Sequence, residues 1–156
     1  MRIYNVKTRI LSIILVCIAF ACNQNDSKGK VPVIRMGSSD YYIALPANYT
    51  LSEARGKEGQ LGYNIQPTDP KSTMFGFVEI FKDKPVVTLP PEMDTAKIYK
   101  SATLDGKHVE WKLYHGESGY YTAFTVEKSE LNARASSKEL TDIDSLISII
   151  STVRKK

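Results

Sequence analysis

Apolar positions along this chain fall into three regimes. They are almost unbroken over 10–21, come in short runs over 41–135, and recur at helical spacing over 140–153. The first run has twelve residues, too few for a bilayer core, which takes about 20. Arg2, Lys7 and Arg9 precede it, and the small residues Ala19 and Ala21 stand ahead of Cys22. That is the layout of a signal peptide, assigned here to 1–21. The polar run NQNDSKGK comes next, and its composition predicts a disordered tether over 22–38. Val31, Val33 and Ile34 can make only a weak strand there, because Pro32 confines the run to an edge or linker.

The middle regime predicts strands. YYIAL (41–45) is aromatic and branched, and stops at Pro46. PANYTLSEARGKEGQ (46–60) reads as a polar connection with room for a helical turn. Leu61, Tyr63 and Ile65 alternate with Gly62, Asn64 and Gln66, which predicts a half-buried strand ended by Pro67. TDPKST is a turn cluster. MFGFVEIF (74–81) is apolar on both faces, with Phe75, Phe77 and Phe81 opposite Met74, Val78 and Ile80. A strand covered on both sides and central to its sheet is expected. Residues 82–95 carry Pro85, Pro90 and Pro91 and read as a long surface loop.

Asp105-Gly106 separates two strand-like runs, 98–104 and 107–115. This predicts a two-residue hairpin, since both central positions need positive φ. Val109, Trp111 and Leu113 should then point inward, alternating with His108, Glu110 and Lys112. GESG turns the chain into a third strand over 120–126 and a short fourth over 131–135. Leu140, Ile143, Leu146, Ile147, Ile150 and Val153 then share one helical face. Ser137 is the expected N-cap, with a Thr141/Asp144 capping pair as the alternative. Acids in the early turns and Arg154, Lys155 and Lys156 at the end suit the helix dipole. The expected fold class is α+β: an antiparallel β-sheet with a C-terminal amphipathic helix packed on it, in one domain over 39–156.

Charge changes this picture little. The formal charge is +4, but three of the 21 basic residues precede Cys22 and all 17 acids follow it, which leaves +1 after cleavage. No basic stripe is present, so nucleic acid is not an expected partner. Cysteine use matters more. Cys17 leaves with the signal, and a lipidated Cys22 leaves no thiol for a disulfide or a thiolate metal site. The domain would enter an oxidising compartment unstapled, held by its core alone.

Ala19-Phe20-Ala21-Cys22, behind its apolar run, resembles a bacterial lipoprotein signal. The resemblance implies cleavage before Cys22, a diacylated Cys22 thiol that takes palmitate label, and often an acylated amine. Asn23 differs from the Asp that resembles an inner-membrane retention signal. A cell with two membranes would therefore place the protein on the outer one, facing the periplasm. A plain secretory signal and a retained helical anchor are the competing readings. Further on, YYIALP, GYNI, MFGFVEIF, VEWKLYH, ARASS and LTDIDSLISIISTV together resemble small bacterial envelope proteins with the PsbP-like fold, over about 40–153. That resemblance implies an antiparallel sheet with helices packed on it, in proteins that act mostly as adaptors or have no known role. It brings no catalytic residue.

Candidate chemistry is sparse. His108 and His115 are seven residues apart on one expected strand and point to opposite faces, so they cannot share an ion. No nucleophile elbow, phosphate loop, HExxH or zinc cysteine spacing occurs. No catalytic residue, metal site or cofactor is expected. In each adjacent pair, Tyr41/Tyr42 and Tyr120/Tyr121, one ring must face away from the main core. Tyr42, Val86, Val87, Leu89, Glu92 and Tyr121 are the candidate partner-binding residues. The expected partners are another envelope protein and the membrane, reached through lipid on Cys22. The alternatives are an immunity protein against a periplasmic toxin and a hydrolase using His115 with Glu117.

Overall fold

Period-two alternation governs most of the chain, and strands follow from it. The computed structural model describes residues 30–55, 60–81, 91–125 and 130–156, and 31–156 form one compact unit. Among the described residues the strands are β1 (Val33–Arg35), β2 (Tyr41–Ala44), β3 (Tyr49–Arg55), β4 (Gln60–Pro67) and β5 (Phe75–Phe81). A 3-10 turn, Pro91–Thr95, precedes β6 (Lys97–Leu104), β7 (Lys107–His115), β8 (Tyr121–Thr125) and β9 (Leu131–Ser137). Helix α1 (Leu140–Ile150) and β10 (Arg154–Lys155) follow. The fold is α+β and mainly antiparallel β, with one α-helix among the described residues.

Seven strands pair in the order β3-β4-β5-β9-β8-β7-β6, and β1-β2-β10 make a separate small sheet. The large sheet is two meanders, β3-β4-β5 and β6-β7-β8-β9, joined where β5 pairs with β9. Asp105 (φ 50°) and Gly106 (φ 71°) make the expected hairpin turn, with Leu104 opposite Lys107. Val109 and Trp111 are buried, Trp111 at 0% exposure.

One cross-strand row shapes the core. Ile65, Gly76, Ala135, Ala123 and Leu113 are successive partners across β4, β5, β9, β8 and β7. Three small residues stand between larger ones in this row, and Leu146 of α1 comes near at Gly76. A Cβ on Gly76 would stand 3.1 Å from Leu146 Cδ2 and 3.2 Å from the Ile65 Cβ. Ile143, Leu146, Ile147, Ile149 and Ile150 of α1 belong to the same buried cluster as Val78, Trp111 and Ala135.

Several segments differ from the sequence reading. Residues 49–55 are strand β3, not a polar connection with a helical turn. Tyr49 and Leu51, facing Pro67 and Ile65 on β4, supply the apolar contact that sufficed at a sheet edge. β1 takes residues out of the expected tether, and Leu45 N–H extends its pairing by donating to Pro32 O at 2.9 Å. β5 is interior, but only the Gly76, Val78 and Ile80 face lies in the main core. Phe75 and Phe77, stacked 6.2 Å apart, are half-buried on the other face. There the register makes a row of Phe77, Arg134, Phe124 and Lys112.

The helix starts at Leu140 behind Glu139, which makes no side-chain cap bond. Ser137 acts from two residues upstream. Its Oγ accepts the Glu139 N–H at 3.3 Å and donates to Asp142 Oδ2 at 2.7 Å. The basic tail is not a dipole complement, because the helix stops at Ile150. Ser151 caps it, the chain turns, and Arg154 and Lys155 pair with Tyr42 and Tyr41 of β2.

Two stability tests follow from this core. Gly76→Val should cost about 1–3 kcal/mol by overpacking under Leu146, read as a lower denaturant midpoint; an unchanged midpoint would mean that α1 yields. Trp111→Ala should cost about 3–5 kcal/mol, and the native emission should be blue-shifted relative to free Trp.

Candidate functional site

β6 is an edge strand of the large sheet, and its first residues are irregular. Ile98 pairs with Lys112 and Lys100 with Trp111, so the register slips across Tyr99. A bulge of this kind re-aims side chains at a sheet edge. Tyr99 packs against the core, while Ile98 stays 61% exposed, more than any other large apolar residue described.

α1 holds the bulge in place. Tyr99 Oη donates to Asp144 Oδ1 at 3.1 Å, and Lys100 Nζ donates to the same oxygen at 2.7 Å. The Lys100 hydrogen bond is the main reason the Asp144 carboxyl is lowered below its usual range. Burial, then the hydrogen bond to Asp144, pushes the Tyr99 hydroxyl up. Both partners of the ion pair are partly exposed, so the pair positions the bulge more than it stabilises the fold.

An open groove of about 290 Å³ results, lined by Thr95, Lys97, Ile98, Tyr99, Leu113, Tyr114 and His115. Its floor is apolar and aromatic, and its rim carries Lys97 and His115. The His115 ring stacks on Tyr121 at 4.4 Å with 28° between planes. His108 pairs with Thr103 on the same strand as His115 but on its other face. Among the described residues no three His, Cys, Asp or Glu side chains are grouped to hold a metal. The groove offers apolar contact and an edge strand for hydrogen bonding.

Of the residues expected to bind a partner, Tyr42 and Tyr121 lie in different sheets. Tyr42 is half-buried in the small sheet, with Lys156 Nζ 4.6 Å above its ring. Tyr121 is half-buried in β8 against the core, while Lys138 Nζ lies 5.4 Å over Tyr120. Glu92 belongs to the 3-10 turn whose last residue, Thr95, reaches the groove. Cys22, Val86, Val87 and Leu89 lie outside the described residues. Ile98, Tyr99 and Tyr114, which line the groove, were not among the expected residues. The available signal was the adjacent pair Ile98-Tyr99, which a regular strand cannot point to one side.

Tyr41 gives a test of the opposite end of the core. Its hydroxyl is pushed up from 10 to about 12, first by burial, then by the charges of Asp105 and Glu130. Its Oη donates to Glu130 Oε2 at 3.5 Å. A raised phenol pKa means that the folded state holds the proton more tightly. The contribution to stability is complete below the ordinary value of 10 and is lost as pH rises towards about 12. Tyrosinate absorbance should show a late-titrating group in the native protein, missing in Tyr41→Phe. Its presence in that variant would assign the late group to another tyrosine.

The chain matches no family model, and it matches no curated protein.

Proposed function

We propose that this chain is a non-catalytic, lipid-anchored protein of the bacterial cell envelope that binds another envelope protein at the β6 groove. The observation that carries the reading is Ile98, 61% exposed in an aromatic-floored groove on an edge strand. Exposed apolar surface beside unpaired strand backbone is the usual ground for an added strand or an apolar segment of a partner. The expected contact loop over 82–95 ends in the turn that reaches the groove through Thr95, which adds support.

The anchor rests on the signal at 1–21 and on Cys22, with the outer membrane, periplasmic side, as its place in a cell with two membranes. The PsbP-like reading of the fold, a sheet with the closing helix packed on it, is supported by the approach of Leu146 to Gly76. The mature domain would then sit tethered near its partner, which raises the effective concentration of the encounter.

Two measurements test these parts separately. Cys22→Ala should abolish palmitate labelling and leave an uncleaved precursor or a soluble form; labelling that persists refutes the anchor. Ile98→Asp should weaken co-purification of a partner from solubilised envelopes by about tenfold or more, with circular dichroism unchanged. Full binding by Ile98→Asp, together with a dead His115→Ala, would favour a hydrolase using His115 with Glu117.

A further inference from the structure

We propose that the outer face of the small sheet docks on the anionic phospholipid surface of the bilayer, an inference that rests on the lipid-anchored reading above. The register sets Arg35, Tyr42 and Arg154 side by side in one row across β1, β2 and β10. Alternation puts Val33 and Ala44 on the same face, while Tyr41 and Ile43 point inward at 4% and 0% exposure. Lys156 joins the row, its Nζ 4.6 Å above the Tyr42 ring. Lys155 belongs to the opposite side, over Tyr41.

The composition of this face is that of a membrane interface. It has two guanidinium groups, one ammonium group, a half-buried Tyr, and an apolar residue, Val33, at 46% exposure. Val31, one residue short of Pro32, is 43% exposed. Arginine and lysine are drawn to anionic headgroups, and Tyr settles at headgroup depth.

Charge is segregated here. Residues 31–156 carry sixteen basic and sixteen acidic side chains, a net of zero. Three cations on this face oppose one acid, Asp40, whose Oδ1 lies 3.6 Å from Arg35 Nη2 with both side chains more than half exposed. The rest of the domain is therefore net acidic, and a negative surface would attract this face and repel the remainder.

Chain connectivity favours the membrane over an acidic protein. Ten residues separate Cys22 from Val33, a reach of at most about 35 Å. The first strand of the domain is thus also the strand nearest the lipid along the chain. The three strands have three, four and two residues. That is small for a protein interface, which takes about 800 Å² from each partner.

The test uses the mature chain from residue 22 with Cys22→Ser, which keeps every buried core residue from Met36 to Val153. It is sedimented with vesicles of pure phosphatidylcholine and with vesicles containing phosphatidylglycerol. We expect binding to the phosphatidylglycerol vesicles alone, lost at about 1 M salt, where the screening length falls to about 3 Å. The triple variant Arg35→Glu/Arg154→Glu/Lys156→Glu should bind at least about tenfold more weakly. A control with Lys112→Glu/Arg134→Glu, on the large sheet, should bind as the parent does. Equal binding to both vesicles, no binding to either, or equal loss in the control overturns the proposal. Palmitate labelling of the unaltered chain reads the anchor independently. Vesicle binding without labelling overturns the anchor and upholds this face; labelling without vesicle binding overturns this face and leaves the anchor.

Discussion

The approach of Leu146 to the floor of the large sheet is the constraint on which the rest depends. Gly76 has no room for a larger side chain, because Leu146 and Ile65 both crowd the place its Cβ would take. Its cross-strand row crosses the β5–β9 seam, where the two meanders meet. Gly76, where Leu146 comes near, is itself one of the residues paired across that seam. A side chain added there would push α1 outward and disturb Asp144, on which Tyr99 and Lys100 depend. The groove at β6 is in this sense tied to packing at Gly76, four strands away.

The helix also governs the small sheet. Its end is set by local hydrogen bonds rather than by loss of apolar residues. Thr152 Oγ1 donates to Ile149 O at 2.6 Å and accepts the Ala44 N–H at 2.9 Å. Val153 continues the apolar stripe and is buried, yet it stands outside the helix, its carbonyl accepting the Asp105 N–H at 3.0 Å. Asp105 Oδ1 in turn accepts the Lys155 N–H at 2.8 Å. The hairpin turn of β6 and β7 thereby holds the segment that completes the small sheet.

Local chemistry was legible in the sequence, and long-range pairing was not. Asp105-Gly106 announces its turn because positive φ at two positions is a local demand. Trp111 and the stripe from Ile143 to Ile150 announce their burial because periodicity is local too. β10 could not be read this way. Two basic residues have no period, and their partners on β2 lie over a hundred residues earlier. β3 was obscured because an edge strand buries one face and its polar face looks like loop. The groove was illegible for a related reason. It arises from a register slip, which is a property of two strands together. Tyr42 was half legible: the Tyr41-Tyr42 pair shows that one ring faces outward, but not that Arg35 and Arg154 flank it.

The small sheet has a consequence for the order of assembly. Its middle strand, β2, is made early in synthesis, and one of its two neighbours, β10, is made more than a hundred residues later. Until residues 152–156 arrive, β2 has β1 on one side and an open ladder on the other, with the Ala44 N–H still waiting for Thr152. Closing a loop of that length is entropically slow, so this sheet is completed late in folding. A chain interrupted shortly before residue 152 would leave β2 without β10 on that side.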